Sequence, residues 1–266
     1  MPAVTVHFLP TLLPAALAAI PGGPESFRTA SAVVIDVLRA STTIIHALAA
    51  GATQVVPTES VDQVRRLQVS LPTTDLLTGG ERHGVRIEGF DLDNSPQSYR
   101  ADVVRGKTIL FTTTNGTRAL AAARDAGHVF IGAFVNRAAL VETLRSVNQD
   151  VHLLCAGTDG IITAEDCLFA GVVAMDLAAN AGFQLSPDAS TLMAHELARV
   201  HGRSPEGIRG VLESSRGGQN LLELGYSHDV ERCASENLFD SVPEWSATTG
   251  TIRLRQGASG QEQFQI

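Results

Sequence analysis

Short runs of β-branched and aliphatic residues alternate along most of the chain with longer segments whose apolar positions recur at helical spacing. Ala32-Val33-Val34-Ile35-Asp36 reads as a strand, followed by a helix from Ser41 to Ala50 that ends at Gly51. Thr53 to Pro57 is a second strand and Val61 to Val69 a helix; Asp75 to Thr78 is a short strand running into a polar segment, Gly79 to Pro96. The alternation resumes with strands at Lys107 to Phe111, His128 to Ile131 and Val151 to Cys155, and helices at Thr117 to Ala126, Arg137 to Val147 and Glu165 to Asn180. Strands separated by helices of this length predict βαβ units, an α/β fold with a mostly parallel sheet and flanking helices. After residue 180 the pattern turns helical: Thr191 to His201, Pro205 to Glu213, Asn220 to Gly225 and Asp229 to Ser235. The whole reads as one unit over 1–266, with weak candidate boundaries near 105 and 180. The Gln- and Gly-rich tail from Arg255 to Ile266 is expected to fray.

The polar positions sharpen this picture. Four strand ends carry clusters of chemistry-bearing residues: Asp36 to Thr42, Thr78 to Arg82, Thr112 to Arg118, and Cys155 to Thr158. In open α/β sheets a ligand sits outside the carboxyl ends of the strands. If these strands are parallel neighbours, the four clusters converge on one crevice. Asp36 emerges there as a carboxylate suited to Mg²⁺, or as the cap of the helix that follows. Ser41 and the stretch Asn115-Gly116-Thr117 lie where helices begin and offer free N–H groups to an anion, or serve simply as caps. Arg39, Arg82 and Arg118 each follow a strand end and suggest a multiply anionic ligand; ion pairing with Glu81 or Asp91 is the bland reading. The loop Gly79 to Pro96 brings Glu81, Arg82, Arg86, Glu88, Asp91, Asp93 and Asn94 together, and a loop that long without regular structure is uncommon unless functional.

Composition narrows the class. The chain has 20 basic and 28 acidic residues, a net charge of -8, with one Trp and two Tyr. Without a basic stripe or stacking aromatics, a nucleic-acid partner is not expected. Cys155, Cys167 and Cys233 make no metal or CxxC spacing and read as reduced, buried thiols of a cytoplasmic protein. Leu12, Leu13 and the run Ala15 to Ile20 resemble a signal core, but Pro10 and Pro14 interrupt it and the first Arg is Arg28. A buried or amphipathic first helix is predicted, and no membrane association. The histidines, His46, His83, His152 and His195 among them, show no metal spacing. Thr163 to Asp166 and Ser214 to Asn220 are weaker candidates, the latter lacking the Lys-Ser/Thr ending of a P-loop.

The segments VVIDVLRASTTI, GGERHGVRIEGFDLDNSP, TTTNGTRAL, CAGT and SSRGGQNLLELGY occur in that order between residues 33 and 226. Together they resemble the characteristic segments of the ComB-type 2-phosphosulfolactate phosphatases. That resemblance implies the family's own α/β fold and Mg²⁺-dependent hydrolysis of 2-phospho-3-sulfolactate to 3-sulfolactate, a step toward coenzyme M. It implies catalytic roles for Asp36, Arg39, Glu81, Arg82 and Arg118. Substrate contacts would come from Ser41, Gly80, Asn94, Thr114, Asn115, Gly116, Thr117 and Gly157, and metal ligation from Asp36, Glu81, Glu88 and Asp91. Glu165 and Asp166 belong to the same implied pocket. Asp93 stands where related sequences often have Gly, a position where Asp tolerates positive φ better than most residues. The proposed substrate carries phosphate, carboxylate and sulfonate, in keeping with three Arg residues and two helix N-termini. Direct attack by water is favoured over an aspartyl-phosphate, because Leu38 stands where an Asp-x-Asp signature would need its second Asp. Two alternatives remain open on the residues: a phosphatase of another small phosphorylated hydroxy acid, or a non-catalytic anion-binding module. A homodimer is the default assembly.

Overall fold

The computed structural model describes residues 1–20, 22–70, 75–180 and 182–255, so the expectation for the tail falls almost wholly outside the described residues. The strands are β1 Ala3–His7, β2 Ser31–Ile35, β3 Gln54–Thr58, β4 Leu76–Arg82, β5 Val85–Arg86, β6 Thr108–Thr112, β7 His128–Gly132, β8 Val151–Cys155, β9 Gln184–Leu185, β10 Pro243–Ser246 and β11 Thr251–Leu254. They form one mixed sheet in the order β5-β4-β6-β3-β11-β10-β7-β2-β8-β1-β9, flanked by helices, the α/β architecture that the alternating pattern predicts.

β2 shows why its sequence folds this way. It is apolar throughout because it is buried on both faces. Val33 and Ile35 enter one core with Phe130, Phe134, Leu140 and Phe169. Ala32 and Val34 enter a second core on the opposite face, with Ile45, Leu48, Leu120 and Ile131.

The polarity of the sheet departs from a simple parallel array. β4, β6 and β3 are parallel to one another, and so are β7, β2, β8, β1 and β9. The antiparallel hairpin β10–β11 joins the two groups, pairing antiparallel with β7 on one side and β3 on the other. Three successive antiparallel pairings make the two groups run in opposite directions, so the four clustered strand ends come as two pairs of parallel neighbours, β4 with β6 and β2 with β8, that point in opposite directions. Five steps separate β6 from β2, and a twist of about 20–25° per step rotates one group by roughly 100–125° against the other. Residues from the carboxyl ends of both groups line one crevice.

Two crossover helices complete the crevice. Ala40–Ala49 follows β2 and packs over β7 and the hairpin before the chain enters β3. Thr114–Ala123 follows β6 and packs on β2 before the chain enters β7. The second helix starts three residues earlier than the pattern suggested, which puts Asn115 and Gly116 in its first turn. The first twenty residues give β1, inside the sheet between β8 and β9, and only then the helix Leu13–Ala19 with Leu13 and Leu17 buried. The C-terminal helices Ala189–His201, Pro205–Ser214, Arg216–Glu223 and Ser227–Ala234 cover one face. Among the described residues no helix is long and apolar enough to cross a membrane. The three cysteines are free and buried.

Candidate active site

A crevice of about 250 Å³ opens where the strand ends meet. Its wall takes Asp36, Leu38 and Arg39 from the loop after β2, and Glu81 and Arg82 from the end of β4. Asn94 comes from the polar loop, Thr113 to Asn115 from the start of the helix after β6, and Thr158 and Asp159 from the turn after β8. The helix Arg216–Glu223 closes it with Arg216, Gly217 and Asn220.

Asp36 is set by the strand before it and the helix after it. Its backbone N–H donates to Ser41 Oγ at 3.0 Å, its carbonyl accepts the Ser41 N–H at 2.8 Å, and its carboxylate accepts the Ala40 N–H at 3.3 Å. The side chain also reaches the start of the other crossover helix: a Cβ on Gly116 would stand 3.5 Å from the Asp36 carboxylate. Burial pushes the Asp36 carboxyl up to about 7; Glu81 and Glu165 add to the rise, and the Ala40 N–H and Arg39 oppose it. The first N–H groups of the helix Ala40–Ala49 are thus spent on Asp36 itself, while the start of the helix Thr114–Ala123 lines the same crevice, an arrangement that favours an anionic ligand there.

The cations are not equivalent. Arg39 is buried; its Nη1 donates to Asp229 at 2.5 Å and its Nη2 to the Gly84 carbonyl at 3.1 Å, while the guanidinium lies 4.7 Å above the Tyr226 ring. Arg82 Nη1 donates to the Glu81 carbonyl at 2.9 Å. Arg118 is exposed on the helix Thr114–Ala123 and is not part of the crevice wall. Arg216, absent from the expected set, lines the wall in its stead at the first position of its own helix.

Acidic groups separate in the same way. Glu81 Oε2 accepts the Gly84 N–H at 2.5 Å and faces the crevice. Glu88 and Asp91 are exposed outside it. Asp91 pins the polar loop by accepting from the Thr78 N–H and hydroxyl, both at 2.8 Å. Asp93 has no positive φ; it accepts from the Ser95 N–H at 2.9 Å and the Ser98 hydroxyl at 2.8 Å, and so braces the turn that presents Asn94. Glu165 lies behind Gly217, whose Cβ would come within 3.0 Å of Oε1, and burial pushes its carboxyl up. Asp166 accepts from the Val37 N–H at 2.8 Å and the Gly157 N–H at 3.1 Å, and burial drives its carboxyl well up. It ties the loops after β2 and β8 together from beneath.

Several expected contact residues shape the crevice from outside it. Ser41 is spent on Asp36 and the Val34 carbonyl. The Thr117 hydroxyl donates to the Thr113 and Thr114 carbonyls. Gly157 holds its turn at φ +62°. Gly80 lets β4 press against β6, because a Cβ there would meet the Thr112 carbonyl at 2.6 Å. The histidines are largely structural: His7 and His152 share a 2.9 Å hydrogen bond, and His46 accepts from Arg232 at 3.2 Å. His83 lines the crevice rim at φ +54°. Arg216 and Asn220 lie in the segment Ser214 to Asn220 that the sequence flagged weakly; Asp159 and Asp229 carried no local signal at all.

The donor set suits a hard cation. The buried Asn94 Oδ1 has no hydrogen-bond partner, and Asp36 and Glu81 line the same crevice. Mg²⁺ asks for one or two carboxylates, with waters and substrate oxygens completing the shell. Among the described residues no group of three or more His, Cys, Asp or Glu forms an all-protein metal cage.

Residues 20–248 match the family model described as 2-phosphosulpholactate phosphatase. A probable 2-phosphosulfolactate phosphatase of Carboxydothermus hydrogenoformans is 40% identical over 232 residues, 86% of this chain and 93% of that protein. A protein of the same description from Caldicellulosiruptor saccharolyticus is 39% identical over 226 residues, covering 83% and 91%. One from Symbiobacterium thermophilum is 40% identical over 224 residues, covering 84% and 93%.

Proposed function

The chain belongs to the 2-phosphosulpholactate phosphatase family, and we propose that it hydrolyses 2-phospho-3-sulfolactate to 3-sulfolactate and phosphate with Mg²⁺ as cofactor. The observation that carries this reading is the crevice itself, which Asp36 and Glu81 line together with Arg39, Arg82, Arg216 and the start of the helix Thr114–Ala123. Acidic groups beside an anion would repel it unless a metal intervenes, whereas cations and helix ends alone would suffice for a plain anion receptor.

Asp36, Glu81 and Asn94 Oδ1 are the residues that would hold Mg²⁺. When bound, the ion would neutralise phosphoryl oxygens and lower the pKa of water. Arg39 and Arg82 stabilise the charge that develops on the transferring phosphoryl group. The N–H groups of Thr114 and Asn115 orient it. Arg216, with Asn220 one turn along the same helix, meets the sulfonate or carboxylate end. In the hydrolysis, water adds to phosphorus, the bond from phosphorus to the substrate's C2 oxygen breaks, and that oxygen leaves as the hydroxyl of 3-sulfolactate. The product would feed a coenzyme M type of biosynthesis.

The test is phosphate release by the purified protein from 2-phosphosulfolactate and a panel of phosphorylated hydroxy acids, with Mg²⁺ and with EDTA. Metal-dependent preference for the sulfonated substrate is expected. Metal-dependent release from a different substrate would replace the substrate and keep the chemistry, and tight anion binding without release would overturn the enzymatic reading.

A further inference from the structure

Arg39 is delivered to the crevice by the loop after β2, but the group that fixes its guanidinium comes from 190 residues away. Asp229, on the helix Ser227–Ala234, is fully buried and uses both carboxylate oxygens. Oδ2 accepts from Arg39 Nη1 at 2.5 Å, and Oδ1 accepts from the Ser95 hydroxyl at 2.6 Å. Ser95 directly follows Asn94, so one carboxylate joins two separate segments of the crevice wall. Tyr226, just before the same helix, lies under the Arg39 guanidinium at 4.7 Å. The Gly84 carbonyl takes a further N–H at 3.1 Å.

From this geometry we infer that Asp229 is a positioning residue for phosphoryl transfer: it locks Arg39 and the Asn94–Ser95 turn in one relative geometry, with Tyr226 as the platform. Of the five N–H donors of a guanidinium, Asp229 and Gly84 engage two and leave three, on a side chain that lines the crevice. Buried charge-assisted pairs are short and directional, so Asp229 sets the plane in which those three point. A structural ion pair alone would need neither the second tie to Ser95 nor the aromatic platform beneath the cation. The inference rests on the phosphatase reading for its kinetic consequence, and on geometry alone for its effect on anion binding.

The test is a double-mutant cycle with Asp229→Asn and Arg39→Ala in the full chain, read by kcat and KM for phosphate release and, separately, by calorimetric binding of inorganic phosphate. Asp229→Asn keeps the shape of the side chain and a single acceptor for Arg39. It is expected to lower kcat about tenfold or more while KM moves less than about threefold, the scale at which partners of reacting groups act. In the Arg39→Ala background the same substitution should lower kcat several-fold less, leaving only a loss of the size that Ser95→Ala shows. Phosphate affinity should fall more in the first background than in the second. Ser95→Ala, which removes one tie and leaves the ion pair, should show a smaller loss of the same kind. An equal effect of Asp229→Asn in both backgrounds, or none in either, overturns the inference. Absence of turnover in the unmodified protein would sink the phosphatase reading and leave the phosphate-binding cycle to decide this one.

Discussion

Replacing Asp36 by Asn removes a carboxylate that the fold holds at a cost. A carboxyl at about 7 in the folded chain and 3.8 in the unfolded one contributes stability that is fully present below 3.8 and lost as pH rises through 7. At pH 8 nearly all of it is gone, a penalty of about 4 kcal/mol at 1.36 kcal/mol per pKa unit. At pH 5 the unfolded carboxyl is mostly ionised and the folded one still protonated, so the penalty is only about 2 kcal/mol. The Asn variant titrates in neither state. It is therefore expected to gain on the parent by about 2–3 kcal/mol more at pH 8 than at pH 5, in parallel with loss of turnover. Urea denaturation of both proteins at the two pH values, in EDTA, measures this difference. Groups that titrate alike in both proteins cancel, and Asn keeps an acceptor for the Ala40 N–H. A stability difference between the two proteins that stays constant within about 0.5 kcal/mol would refute a desolvated Asp36.

Arg216→Ala is expected to raise KM for the sulfonated substrate about tenfold or more, whereas Arg118→Ala, altering an exposed side chain off the crevice wall, should leave kcat and KM within about twofold; steady-state kinetics separates the two. Burial pushes the His152 ring down to about 4, so the stability its neutral form contributes is present above 6.5 and lost as pH falls toward 4, about 3 kcal/mol in all. His152→Gln should flatten the acid limb of a stability–pH curve by urea denaturation. Gly80→Ala, forcing a Cβ against the Thr112 carbonyl at 2.6 Å, should destabilise by about 2 kcal/mol or more and lower Tm in a thermal melt.

Much of the fold and part of the site are written locally. A four-residue, β-branched apolar run before Asp36 reads as a strand covered on both faces, and the carboxylate then emerges at its carboxyl end. Asp36, Arg39, Glu81, Arg82, Thr114 and Asn115 were legible because each stands at the carboxyl end of a strand or opens a helix, and Asn94 because it lies in the long polar loop. Arg118 fell outside for a reason just as local: the helix begins at Thr114, so Arg118 lies one turn, about 5.4 Å, farther along. Glu88 and Asp91 shared a polar loop with Glu81, but composition does not say which side of a loop meets the crevice and which pins it to Thr78.

The opposed halves of the sheet could not be read from alternation, because the hairpin that reverses them consists of two four-residue strands with little periodicity. Arg216 reached the wall only through packing of the C-terminal helices. Asp229 found Arg39 and Ser95 across separations of 190 and 134 residues, for which neither propensity nor spacing carries information. The sequence by itself determined the central strands β2, β3, β6, β7 and β8, the helices between them and the polar groups at their ends, since those follow from short-range periodicity and chain stereochemistry. Only the tertiary structure decided which of those ends face one another and which charges hold them there, since sheet order, twist and burial arise from contacts between distant parts of the chain.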